Sequence, residues 1–209
     1  MKTGAISDRE IKRARRLADA KAVKTTARLI ITFGCARACP YCCNNYKQIM
    51  STAKPVRLEG LAGYSEICIT GGEPLLDVER TLKIVARLRT LYPEAKIYLY
   101  TAWFPGNVKP IIDAVDGLHY TLHTGASSID LMGFQLLQSV ICKHFFDPEW
   151  KDKSFRCYIS PNIRNTIPVT PYLWKRVEVK PCWLTEEELL AERTTGALSR
   201  EQIFILEGE

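Results

Sequence analysis

The chain has 209 residues, 46% of them hydrophobic and 25% charged, with a net charge of +6. That length points to one domain around one core, and the composition excludes a disordered, collagen-like or coiled-coil chain. No apolar run reaches the roughly 18 residues of a membrane span, and the basic start is not followed by the apolar stretch of an export signal, so a cytoplasmic protein is expected.

The charge is unevenly spread. Residues 1–24 hold eight Lys and Arg against three Asp and Glu, whereas residues 185–209 hold two against seven. Ser7-Asp8-Arg9-Glu10 reads as a capping box that opens a helix through about Lys21, and the expected organisation is a basic N-terminal helix over 1–24 ahead of a domain over 25–209. No aromatic residues interleave with these cations, which argues against a single-stranded nucleic-acid platform, and no nucleic-acid partner is expected.

From residue 27 onward, short β-rich runs alternate with helical patterns. Strands are expected over Arg28 to Phe33, Glu66 to Thr70, Lys96 to Thr101, Leu118 to Leu122, Phe155 to Ile159 and Arg176 to Lys180. Val78, Leu82, Val85 and Leu88 stand at helical spacing, and Val108 to Val115 and Ile129 to Cys142 also read as helices. The connection from about Gly34 to Gly60 reads as a loop that turns helical toward its end. Such alternation argues for a parallel sheet of βα units. Six units at about 30 residues each fit the chain, while a closed eight-unit barrel needs about 250 residues. An open, curved six-strand sheet and a flat doubly wound one both fit that count.

Eight cysteines are too few for a disulfide scaffold of this length and too many to pass over. Cys35, Cys39 and Cys42 stand at CX3CX2C spacing just past the first strand, on a loop short enough to aim three sulfurs at one centre. Structural zinc is closed by four ligands, and no second CX2C pair exists among Cys68, Cys142, Cys157 and Cys182. A four-iron, four-sulfur cluster takes one thiolate per iron, so three cysteines leave one iron open. Cys43, adjacent to Cys42, reads as structural, Cys68, Cys142 and Cys157 read as core residues, and Cys182 has no assigned role. The reading from another class is an interaction module with zinc on Cys35, Cys39, Cys42 and either Cys43 or a distant cysteine.

The loop Gly34-Cys35-Ala36-Arg37-Ala38-Cys39-Pro40-Tyr41-Cys42, with an aromatic residue before its third cysteine, resembles the cluster motif of radical S-adenosylmethionine enzymes. Glu66 to Pro74, a β-rich run ending in Gly71-Gly72-Glu73-Pro74, is similar to the motif with which that family binds the amino group of the cofactor's methionine. The resemblance implies an α/β fold, an open partial (β/α)6 barrel with an added N-terminal helix. It implies a [4Fe-4S] cluster on Cys35, Cys39 and Cys42, and S-adenosylmethionine bound at Gly71, Gly72, Glu73, Pro74 and Tyr41. It implies reductive cleavage of that cofactor to methionine and a 5'-deoxyadenosyl radical that abstracts hydrogen from a protein or small-molecule substrate. The electron would come from a flavodoxin- or ferredoxin-type donor.

Two subclasses of this size compete. Cys39-Pro40-Tyr41-Cys42-Cys43-Asn44 is close to the pattern of activases that install a glycyl radical on a partner protein. Synthases of 7-carboxy-7-deazaguanine usually place Asp-Thr after the third cysteine, where this chain has Cys43-Asn44.

Strand alternation ranks further residues. In the fourth expected strand Leu118, Tyr120 and Leu122 should meet helices, and His119, Thr121 and His123 should face the other way. His119 is expected to be a hydrogen-bonded residue of the interior, and His123 to reach the cofactor, as do Thr101 at the end of the third strand and Ser160 after the fifth. The same alternation selects Arg156, Tyr158, Arg176, Glu178 and Lys180, with Arg156 and Lys180 as substrate contacts.

Overall fold

The computed structural model describes residues 25–208, apart from residues 38, 40, 105, 181–183 and 197. The expected N-terminal helix and Cys182 therefore lie outside the described residues. The chain runs β1 (Thr26–Thr32), α1 (Lys47–Ser51), β2 (Lys54–Val56), β3 (Glu66–Gly71), α2 (Val78–Leu91), β4 (Lys96–Thr101), α3 (Lys109–Ala114), β5 (Gly117–Leu122), α4 (Ser128–Lys143), β6 (Ser154–Ile159), β7 (Arg176–Val179), α5 (Glu186–Thr194) and β8 (Glu201–Leu206). These strands form one open sheet in the order β2-β8-β1-β3-β4-β5-β6-β7, with every pairing parallel. The six strands expected from the sequence are its contiguous run from β1 to β7, the open α/β arrangement of a partial six-unit barrel. No described helix is long and apolar enough to cross a membrane.

Two strands were not expected. β2 is three residues long and contains Pro55, and it lies at the sheet edge, where a missing backbone N–H is tolerated. It also corrects the reading of the Gly34 to Gly60 connection. The helix there is a short piece in the middle, and the end of the connection is strand β2 followed by a 3-10 turn at Leu58–Leu61. β8 is a β-rich run, Glu201 to Leu206, that pairs with β1 and holds β2 on its far side.

One face of the sheet carries the main core. Leu29, Ile67, Ile69, Ile97, Leu99, Leu118, Phe155 and Ile159 are buried there with Ile84, Val85 and Leu88 of α2 and Phe134, Leu137 and Ile141 of α4. Two side-chain carboxylates start the neighbouring turns: Asp77 accepts from Arg80 N at α2, and Ser127 and Asp130 close a capping box at α4. Tyr120 packs against Phe134, and Leu118 and Leu122 are buried on the same side, as the alternation required. Cys68 and Cys157 are buried, but Cys142 is exposed, which corrects its assignment to the core. It follows the buried Ile141 on α4, and one helical residue turns a side chain by about 100°, enough to face it outward.

The opposite, inner face is divided. On the β1 and β8 side, Ile30 and Ile203 pack with Ile49 of α1 into a small second core, to which Leu189 and Leu190 of α5 add. On the β4 to β7 side the same face carries Tyr98, Tyr100, His119, Arg156 and Tyr158.

Candidate functional site

The loops after β1 and β3 meet through their backbones. Glu73 N donates to Gly34 O (2.8 Å) and Gly72 N to Thr32 O (2.7 Å). A Cβ on Gly71 would lie 2.2 Å from Thr32 O, and one on Gly72 would lie 2.1 Å from Gly34 O. Gly71 also has φ 132°, a backbone conformation that favours glycine. Both glycines thus make room for the backbone of the cysteine loop. Asn44 adds a third link, its side-chain amide donating to Gly71 O (2.8 Å).

Arg37, inside the CX3CX2C run, extends the same network. Its guanidinium forks onto both carboxylate oxygens of Asp130, one contact at 3.0 Å, and donates to Ala102 O (2.7 Å). This joins the cysteine loop to the start of α4 and the end of β4. Asp130 is held low as a result: burial would raise it, but the bond to Arg37 and those from Ser127 outweigh that. Further along the chain, Glu186 of α5 accepts from Gln48 N (2.6 Å) and caps α1, and Tyr46 donates to Leu184 O (2.6 Å).

Glu73 is buried and fully engaged on one side. Thr101 donates to its Oε1 (2.6 Å), Leu75 N donates to the same oxygen (3.1 Å), and Ala102 N donates to Oε2 (2.9 Å). Burial raises its carboxyl, and these bonds with the charge of Arg37 only partly offset that. A carboxylate offers about four acceptor positions, so one is left among the described residues, and Glu73 lines a cavity of about 380 Å3 with Cys35, Arg37, Cys39, His123 and Asp130.

Of the residues singled out in the sequence, Cys35, Cys39, Glu73 and His123 thus meet at one cavity. Cys42 and Tyr41 do not line it, and Tyr41 is half exposed. Pro74 is buried and starts the 3-10 turn that Glu73 caps. Thr101 stands behind Glu73. Ser160 is buried and shares a 2.7 Å hydrogen bond with Thr124, itself a wall of the cavity. Arg156 and Lys180 are not part of its lining and belong to the inner face of the sheet. Sequence reasoning missed Arg37 and Asp130, although Ser127 and Asp130 stand at capping-box spacing.

His119 departs from expectation. It is 3% exposed, yet neither ring nitrogen has a partner among the described residues. Its ring lies 4.2 Å from Tyr100, 5.8 Å from Tyr98 and 6.1 Å from Tyr158, between centroids. Three aromatic neighbours exclude water without supplying an aligned acceptor. Burial, and then the charges of Arg156, Arg28 and Lys180, push its pKa down to about 3, so it is neutral.

As to the cluster, among the described residues no three His, Cys, Asp or Glu side chains are placed to share one metal ion. A four-iron cluster binds each thiolate to a different iron, so its ligands stand apart. The loop supplies one polar contact suited to a bound thiolate, Arg37 N donating to Cys35 Sγ at 3.4 Å. Cys43, next to Cys42, is exposed.

A family model described as a 4Fe-4S single cluster domain matches residues 25–119, a little under half of the chain. No curated protein matches. Among solved structures the chain is similar to Streptococcus suis SuiB bound to S-adenosylmethionine, with 15% identity and a TM-score of 0.40; the match covers 100% of this chain and 55% of SuiB.

Proposed function

We propose that this chain is a radical S-adenosylmethionine enzyme, with a [4Fe-4S] cluster on Cys35, Cys39 and Cys42 and the cofactor in the cavity beside Cys35, Cys39, Glu73 and His123. The observation that carries the reading is that Glu73, a buried carboxylate with one free acceptor position, shares a cavity with two of the three clustered cysteines. An ammonium group is a pure donor and would both fill that position and neutralise the buried charge. The matched 4Fe-4S model over residues 25–119, which includes both motifs, supports the same assignment. Bound together, the cluster and S-adenosylmethionine supply one-electron cleavage of the sulfonium C–S bond, which begins hydrogen abstraction.

The chain's own part is placement. Thr101 and the backbone N–H groups of Ala102 and Leu75 fix the Glu73 carboxylate, Arg37 and Asp130 fix the cysteine loop, and neutral His123 offers a hydrogen bond from the cavity lining. Burial, then the charge of Arg37, lowers the His123 pKa, so its ring accepts or donates without carrying charge at neutral pH. A low-potential donor of the flavodoxin or ferredoxin type would supply the electron. Within the class, the activase-type pattern is favoured over the 7-carboxy-7-deazaguanine synthase pattern, because Asn44, on which the activase pattern ends, joins the cysteine loop to Gly71.

Anaerobic reconstitution with iron and sulfide tests the reading. About four irons per chain are expected, with 5'-deoxyadenosine formed from S-adenosylmethionine and dithionite. Cys39→Ala should abolish both. A colourless chain holding one zinc, or cleavage that survives the substitution, would overturn it.

A further inference from the structure

The inner face of β4 to β7 has no assigned role in cofactor placement, and its donors are unusually idle. Across β4, β5, β6 and β7 the register aligns Tyr100, His119, Arg156 and Arg176, followed one step on by Thr121, Tyr158 and Glu178. The other cations of this face are paired. Arg28 forks onto Glu201 (2.8 Å to each oxygen) with Arg193 beside it, and Glu178 takes both Arg176 and Lys180. Arg156 makes no ion pair or hydrogen bond among the described residues, and neither do the hydroxyls of Tyr98 and Tyr158. Lys180 folds back over the Tyr158 ring, its Nζ 4.4 Å from the centroid, and of its three N–H donors one is engaged by Glu178 at 3.2 Å. His119 is the buried wall beneath, again without a partner.

Everything unsatisfied in this row is a donor or is neutral, and the charge it carries is positive. Glu178 is the carboxylate beside Lys180 and Tyr158, and it is already shared between two cations. Glu66, whose field also reaches Tyr98, bonds Thr26 instead. A half-buried guanidinium with no counter-charge is costly unless a ligand supplies one.

We propose that the inner face of β5 to β7 binds an oxyanion of the substrate, a carboxylate or a phosphate, through Arg156 and Lys180 with the hydroxyls of Tyr98 and Tyr158 as further donors. The proposal deepens the reading above and rests on it only in assigning the anion to a substrate, since the binding itself needs no cofactor. Arg156 is suited to a forked contact, and Lys180 supplies a point charge held in place by the Tyr158 ring.

The chain has three histidines, His119, His123 and His144, so the ring signals of histidine-labelled full-length protein are few enough to assign with His119→Gln. Acetate, methyl phosphate and, as a control, chloride are titrated while the His119 ring is observed. A saturable shift with acetate or methyl phosphate is expected, about tenfold weaker in affinity in Arg156→Gln and partly restored in Arg156→Lys; the tighter anion identifies the carboxylate or the phosphate source. Lys180→Gln, at an exposed position, provides a second variant independent of the first and should weaken the same response. No shift, an equal response to chloride, or an equal response in both charge-removing variants would overturn the proposal. Anion binding that persists in a chain unable to cleave S-adenosylmethionine would discard the radical reading and keep this site, and the reverse result would discard only this site.

Discussion

The two halves of the inner sheet face differ in what covers them. On the β1 and β8 half, Ile30, Ile203 and Ile49 are almost wholly buried, and α5 lies over them with Leu189 and Leu190. On the β4 to β7 half the face is polar and aromatic, and no described helix packs into its row of Tyr100, His119 and Arg156. One half thus stabilises the sheet through apolar burial, and the other keeps polar groups without hydrogen-bond partners among the described residues, which costs stability. The seam between them is Arg28. Its guanidinium pairs with Glu201 of β8 on one side and lies 4.6 Å above the Tyr100 ring on the other.

The sharpest way to break this contrast is Ile49→Ala. Removing that buried side chain from the closed half should cost about 2–5 kcal/mol in urea unfolding, whereas Arg156→Gln in the open half should change stability by no more than about 0.5 kcal/mol. Equal costs would erase the distinction. A smaller effect is expected at the loop that both halves support. Asp130→Asn removes the charge that Arg37 grips and should weaken S-adenosylmethionine binding about tenfold, roughly 1.4 kcal/mol, with the iron content unchanged; binding at the original strength would show that the ion pair does not position the cysteine loop. The smallest effect belongs to the seam. Burial would raise Glu201, but hydrogen bonding to Arg28 and the charges of Arg28 and Arg193 outweigh it and its pKa is lowered. A carboxyl lowered on folding stabilises fully above its unfolded value, about 4.3, and that stability is lost as pH falls through the folded value. Acid unfolding followed by circular dichroism should therefore steepen below that point, and Glu201→Gln should remove its share of the slope.

The six strands of the sheet's main run were legible because alternating apolar residues, such as Leu118, Tyr120 and Leu122, bury one face of each. The two motifs were legible because cysteine and glycine are few and their spacing is short. β8 and α5 went unread, although Gln202 to Leu206 is β-rich and Thr185 with Glu188 forms a capping box. Their position against β1 depends on pairing across more than 170 residues, and local pattern carries no register at that distance.

By itself the sequence determined an open parallel α/β sheet, which residues carry the cysteine and Gly-Gly-Glu-Pro motifs, and that His119 and His123 leave the helix-packed face. The tertiary structure alone decided what those residues touch. It placed the backbone carbonyls of Thr32 and Gly34 where Gly71 and Gly72 have no Cβ, fixed Glu73 with donors from Thr101 and Ala102, and paired Arg37 with Asp130. Among the described residues it also left the His119 ring without a hydrogen bond and Arg156 without a counter-charge. Side-chain direction follows from strand period and so is local, but hydrogen bonds and counter-charges depend on which distant elements fold against a residue.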